Sequence, residues 1–95
     1  MRLNDMAKII KTAGEPSRLK ILCELFDRKN ICVSDLAKLD RASPAITSHH
    51  LRAMSRDGIL RPVRHGKKIC YEIKPSPFVN DLKKLICKHK NNEQT

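Results

Sequence analysis

Four thiols and a surplus of cations are the residues of this chain with chemistry to offer. Cys23, Cys32, Cys70 and Cys87 stand among 95 residues. A thiol can hold a soft metal, be oxidised, pair into a disulfide, or fill a core as a small hydrophobe. An even count in a short secreted chain reads as two disulfides. The opening Met1-Arg2-Leu3-Asn4-Asp5-Met6, however, sets charge and polar groups where an export signal needs an apolar run, so the chain is expected in the cytoplasm with its cysteines thiols by default. No two cysteines have the close spacing of a zinc knuckle. No nucleophile and base spacing, phosphate loop or carboxylate pair marks an enzyme, and nothing calls for a cofactor.

Lys and Arg number 20 against 10 Asp and Glu, a formal charge of +10, which suits a polyanionic partner. Hydrophobic residues make up 40% and fall in periodic blocks, which argues against disorder, and no apolar run nears the ~18 residues of a membrane span. The aromatics Phe26, Phe78 and Tyr71 all fall on apolar stripes, leaving no platform for stacking single-stranded bases. Nucleic acid is one such polyanion, and a merely soluble basic protein is the alternative. A chain this short buries a limited core, so a partner subunit is expected to add stability.

The elements that must position these groups follow from period and punctuation. Leu3, Met6, Ala7, Ile10 and Ala13 predict an amphipathic helix over 3–13 stopped by Gly14. Pro16 opens a second helix through Asp27, with Leu19, Leu22, Cys23 and Phe26 as its stripe. Ile31-Cys32-Val33 leans towards a short extra strand, and Ser34 caps a brief helix, under two turns, burying Leu36 and Leu39. After Asp40-Arg41-Ala42, Ser43 caps a helix to residue 57, with Pro44 at its first position and Gly58 beyond its end. Leu60–Arg64 and Lys67–Ile73 form a hairpin about His65-Gly66, pairing 64 with 67 and turning Leu60, Pro62, Ile69, Tyr71 and Ile73 inward. Phe78, Leu82, Leu85 and Ile86, with Val79 at the margin, make a last helix over 77–90 before the polar tail Asn91–Thr95. The fold class is mainly α with a small β-hairpin, a winged helix-turn-helix of order α-α-α-α-β-β-α. It forms one domain over 1–95, with the helix-turn-helix at 34–57 and the wing at 60–73.

Four stretches in this order resemble the ArsR-type family of bacterial repressors. They are Glu15-Pro16-Ser17-Arg18-Leu19-Lys20-Ile21-Leu22, then Val33-Ser34-Asp35-Leu36-Ala37, then Ser43-Pro44-Ala45-Ile46-Thr47-Ser48-His49-His50-Leu51, then the hairpin. The resemblance spans about residues 13 to 73 and implies a homodimeric repressor of a palindromic operator. It places the dimer interface on the first and last helices, whose apolar residues are Leu3, Met6, Ile10, Phe78, Leu82, Leu85 and Ile86. Two departures stand out. Asp40-Arg41-Ala42 lacks the glycine of the family's turn, and Ile46 precedes Thr47 where the family has a polar residue before a β-branched one. In the family register Thr47, His50, Leu51 and Met54 face the core and Ile46 is exposed; by periodicity alone Ile46, His50 and Met54 could face in. The family register is preferred, because it leaves Ser48, His49 and Arg52 on one outer face.

Such a helix enters the major groove, and Ser43, Ala45, Ile46, Ser48, His49 and Arg52 are its candidate contacts. Arg52 suits either a bidentate guanine contact or a phosphate, and Ala45 or Ile46 a thymine methyl. In the expected hairpin register Arg64 lies opposite Lys67, a like-charge pair that a phosphate would relieve, so Arg64, His65, Lys67 and Lys68 read as the wing's DNA contacts. The bland alternatives are a solvated His49, a core His50 and a merely solubilising basic tip.

Sensing is the remaining question. Ile31 to Leu36 resembles the Cys-Val-Cys helix of arsenic and lead sensors with Ser34 replacing the second cysteine, and the zinc set of the last helix is broken by Lys83 after Asp81, with only His89 later. No metal site is assigned, although a metal-responsive repressor stays open as an alternative, as does a winged-helix protein-interaction module. Arg18 to Cys23 followed by Cys87 resembles the dithiol branch that senses reactive sulfur or oxidants, which implies a Cys23 and Cys87 switch. On a helical wheel with Phe78 at 0°, Cys87 falls near 180° between Lys83 and Lys84, away from the apolar cluster, and lysines favour the reactive thiolate. Cys23 lies on an apolar stripe, where a structural role competes; Cys32 and Cys70 carry no assigned role.

Overall fold

A capping oxygen followed by proline sets the start of three helices. Glu15, Ser43 and Ser76 accept from the backbone N–H three residues on, at 2.9, 3.1 and 3.1 Å, and Pro16, Pro44 and Pro77 take the first helical position, where no N–H is needed. The computed structural model describes residues 1–90, so the expected tail Asn91–Thr95 lies outside the described residues. Its elements are α1 (Leu3–Ala13), α2 (Pro16–Asp27), β1 (Ile31–Cys32), α3 (Val33–Asp40), α4 (Pro44–Arg56), β2 (Leu60–His65), β3 (Lys68–Ile73) and α5 (Pro77–Lys90). The strands form one antiparallel sheet of order β1-β3-β2, so the short strand expected near Cys32 is present as the far edge of the wing ribbon. Ile21, Leu22 and Leu25 of α2, Leu36 of α3, Leu51 and Met54 of α4, Ile59, Leu60, Tyr71 and Val79 close a single core.

Several expectations shift in phase. The α2 stripe is rotated: Ile21, Leu22 and Leu25 are buried, Cys23 and Phe26 half-buried, and Leu19 exposed, because α2 is packed by α1, α3, α4 and α5 and has no single inward line. Helix α3 starts one residue early, with Cys32 and not Ser34 at its N-cap position and no side-chain cap, and runs eight residues, more than two turns. It buries Leu36 and Ala37, while Leu39 is exposed. In the hairpin His65 pairs with Lys68 and Arg64 with Ile69, a register two residues from the expected one. The cause is the turn. With Gly66 at φ 64 and Lys67 not left-handed, only the first central residue needs positive φ, as in a type II′ turn, and His65 is spared that conformation. A slip of two keeps each residue on its expected face, yet Pro62 and Ile69 are exposed because only the base of the ribbon reaches the core. The like-charge pair of Arg64 and Lys67 is therefore absent; Arg61 instead bonds Glu72 directly across the ribbon.

The cysteine expectation is corrected too. Cys32 and Cys70 are cross-strand partners on β1 and β3 and are joined by a disulfide, whereas Cys23 and Cys87 are free. Spacing along the chain carried no sign of this, since 38 residues separate the pair.

Candidate nucleic-acid interface and thiol pairs

Thr47, Leu51, Ala53 and Met54 are buried on α4, while Ala45, Ile46, His49 and Arg52 are exposed, Ile46 by 55%. This is the preferred register, with the β-branched threonine inward and Ile46 in solvent. Ser43 caps the helix and Ser48 is half-buried, its hydroxyl accepting from the Arg52 guanidinium at 2.8 Å. Arg52 is thus held along the outer face of α4 with donors to spare.

The turn into α4 solves the missing glycine. Arg41 takes φ 53, ψ 39, the left-handed conformation otherwise reserved for glycine, and its N–H and that of Ala42 return to the Lys38 and Ala37 carbonyls. The beginning of α4 is then fixed by a conformation that costs an L residue about 1 kcal/mol or more. Burial pushes the neighbouring Asp40 carboxyl up, against the pull of Lys20.

A polar network that no local pattern announced ties α4 to the chain's first half. The Arg18 guanidinium donates to His50 Nδ1 and to Thr12 Oγ1, both at 3.0 Å, and Glu15 lies 3.9 Å from the same ring nitrogen. Burial raises the Glu15 carboxyl, but the backbone N–H groups of Arg18 and Ser17 and the Arg18 charge outweigh it and hold the carboxyl below its usual value. His50 is therefore more than a core filler. It accepts a charge-assisted hydrogen bond that joins α1, α2 and α4, across 32 residues of sequence.

At the wing, Arg64, His65, Lys67 and Lys68 are all exposed around Gly66, and α4 runs through Gly58, at φ 91, and Ile59 into β2. The four basic residues sit at the ribbon's tip, beyond the Arg61–Glu72 pair that neutralises its base.

The last helix is rotated from its expected phase. Val79 is fully buried, Phe78, Leu82 and Ile86 are half-buried against the core, and Leu85 is 57% exposed. The buried face centres nearer Val79 than Phe78, which brings Cys87 from the expected far side to a half-buried margin facing α2. Two contacts dock α5 there: Lys83 lies 5.9 Å over the Phe26 ring, and Lys90 is 3.6 Å from Asp27. Burial pushes the Cys23 thiol up, against the pull of Lys90. Cys23 also lines a groove of about 800 Å³ with Leu19, Leu39, Leu85 and Ile86. On α1, Leu3 and Ile10 are exposed and Met6 half-buried, while Ile9, Thr12 and Ala13 turn inward. Of the expected α1 stripe, Leu3, Ala7 and Ile10 are thus uncovered within one chain, while Ala13 is buried. Among the described residues no three His, Cys, Asp or Glu side chains gather as a metal site, and no helix is long and apolar enough to cross a membrane.

Residues 15–61 match the family model described as bacterial regulatory protein, arsR family. The chain is 36% identical over 76 residues to the cadmium resistance transcriptional regulatory protein CadC of Listeria innocua, covering 80% of this chain and 64% of that protein. It is 35% identical over 86 residues to the transcriptional repressor PagR of Bacillus anthracis, covering 90% and 85%. Against solved structures, PagR superposes with a TM-score of 0.77 over 88% of this chain and 94% of that one, at 33% identity. HlyU of Vibrio cholerae superposes with a TM-score of 0.82 at 26% identity, over 99% and 100%. The chain spans 57% and 64% of the length of two cadmium-resistance regulators it matches.

Proposed function

Since the chain belongs to the arsR family of bacterial regulatory proteins, we propose that it is a homodimeric transcriptional repressor of a palindromic operator, released when oxidant or reactive sulfur links Cys23 to Cys87. The observation that carries the DNA-binding part is the phase of α4. Its buried residues are those that anchor the helix, and its free ones, Ala45, Ile46, His49 and Arg52, are of types that read base edges or phosphates. The basic wing tip supplies the backbone contacts that position the helix. Exposed Leu3, Ile10 and Leu85 support a second copy seated on α1 and α5, which would set two recognition helices about one DNA turn apart.

The trigger rests on the α2–α5 seam. Cys23 and Cys87 are free and half-buried on α2 and α5, which pack together, and a bond between them would shift α5 against α2 and so change the spacing of the two recognition helices. A metal-responsive version of the same repressor has the cadmium-resistance relative in its favour, and it would need ligands drawn from both subunits, because none cluster among the described residues of one.

The test is binding of the reduced protein to palindromic duplexes recovered by selection from random sequence, followed by addition of peroxide, a sulfane-sulfur donor, or cadmium. Tight binding that weakens steeply with salt, and is lost on thiol oxidation but not in Cys23→Ser or Cys87→Ser, is expected. Release by cadmium alone would move the reading to the metal-responsive version. Affinity that barely changes with salt would end the DNA reading.

A further inference from the structure

We propose that Cys32 and Cys70 are a second oxidative modification site, separate from Cys23 and Cys87, whose disulfide staples the helix-turn-helix to the wing. The placement is a consequence of the fold. Cys32 ends β1 at the N-cap position of α3, Cys70 lies in the middle of β3, and the strand register sets them directly opposite each other. Cys70 is fully buried and Cys32 half-buried, so only Cys32 meets a soluble oxidant, and Cys70 is the resolving thiol.

The chemistry balances with a hydroperoxide as co-reactant. The Cys32 thiolate attacks the peroxide oxygen, the O–O bond breaks, water leaves after proton transfer, and a sulfenic acid remains. The Cys70 thiolate then attacks the Cys32 sulfur; the S–S bond forms, the S–O bond breaks and a second water leaves. Two thiols and one hydrogen peroxide thus give one disulfide and two waters, and a dithiol reductant reverses the step by two exchanges.

The ring so closed contains α3, the turn at Arg41, α4, β2 and the wing turn: the whole of the proposed DNA-reading unit. Cys23 and Cys87 lie outside it, on α2 and α5. One pair therefore fixes the reading unit in the arrangement described above, and the other lies across a seam beside it. Oxidation of Cys32 and Cys70 stabilises the fold and leaves DNA affinity intact, the opposite of what the Cys23–Cys87 link is proposed to do.

The experiment uses the full chain carrying Cys23→Ser and Cys87→Ser, which keeps only the pair in question and so separates this inference from the proposed switch. After one equivalent of hydrogen peroxide, the denatured monomer should lose the mass of two hydrogens and resist alkylation. A proteolytic digest should contain a linked Cys32–Cys70 peptide, and a dithiol should reverse all of these. The unfolding midpoint should rise by about 10 °C on oxidation, and the additional Cys32→Ser change should abolish the rise. Two thiols that stay open to alkylation after peroxide, links found only between chains, or a midpoint that does not move would each overturn the proposal.

Discussion

Helices α4 and α5 are of similar length, 13 and 14 residues, and both begin at a proline behind a serine cap, yet they were legible to different degrees. In α4 Thr47, Leu51 and Met54 are buried and Ile46, His49 and Arg52 exposed, as the preferred register puts them, while His50 and Ser48 are half-buried and Ala53 joins the buried set. In α5 the wheel misplaced the buried face, which centres on Val79 and leaves Leu85 in solvent. The difference lies in what each helix must satisfy. One face of α4 is clamped between α1, α2, α3 and β2, so its apolar residues define a single inward line. Helix α5 carries apolar residues for two surfaces, the core of its own chain and, on the proposed reading, a second subunit. Its hydrophobic stripe is then the sum of two faces, and its centre points at neither.

The sharpest way to break this comparison is to truncate one leucine from each helix. Leu51→Ala in α4 removes a fully buried side chain and should destabilise the fold by about 2–5 kcal/mol in denaturant unfolding. Leu85→Ala, read at protein concentrations low enough to separate the proposed dimer, should cost the fold within about 0.5 kcal/mol, because within one chain its side chain is largely in solvent. If Leu85→Ala unfolds the protein as Leu51→Ala does, α5 does not carry two faces. A charge makes the second face visible: Leu85→Glu should weaken self-association more than tenfold in sedimentation while the far-UV spectrum stays unchanged.

Next in size is the outer face of α4. Arg52→Ala should reduce operator affinity by about 1–3 kcal/mol with little change in the unfolding midpoint, since the side chain is exposed and its hydrogen bond among the described residues is to neighbouring Ser48. A base-edge contact would appear as relaxed preference at one operator position, and a phosphate contact as a uniform loss with a shallower salt slope. The smallest effect tests the tether that holds α4 to α2. The Glu15 carboxyl is held below its ordinary value of 4.5 in the folded chain, so its contribution to stability is present above that value and lost as pH falls through the lower folded one. Glu15→Gln should flatten that acid limb of the stability curve and leave neutral-pH stability only slightly lower; an unchanged limb would show that the Arg18 and Ser17 N–H groups do not hold the Glu15 carboxyl down.

What could be read along the chain was local and what could not was distal. Gly14, the Pro16, Pro44 and Pro77 starts and the Ser43 cap placed most helix limits within a residue or two, because caps and proline act on the backbone beside them. The DNA-facing candidates of α4 emerged from four residues of inward pattern and the family register. The Arg18–His50 bond, the Cys32–Cys70 pairing and the Cys87 margin escaped, since each joins parts far apart in sequence and depends on how whole elements dock. The hairpin is intermediate. Its faces were legible from alternation, while its pairing depended on which central residue of the turn would take positive φ.

That turn sets more than its own geometry. Gly66 is the zero mark of a ruler: from it are counted the pairing of Arg61 with Glu72, the place of Val63 opposite Cys70, and the distance by which four cations project past the end of the ribbon. Were the mark moved to the neighbouring bond, every partnership between the two strands would be re-indexed by two without a residue changing face, and the sheet would look equally well packed. The wing therefore takes its alignment from one missing Cβ, and a substitution there would be felt first as a wrong address for the charges at its tip.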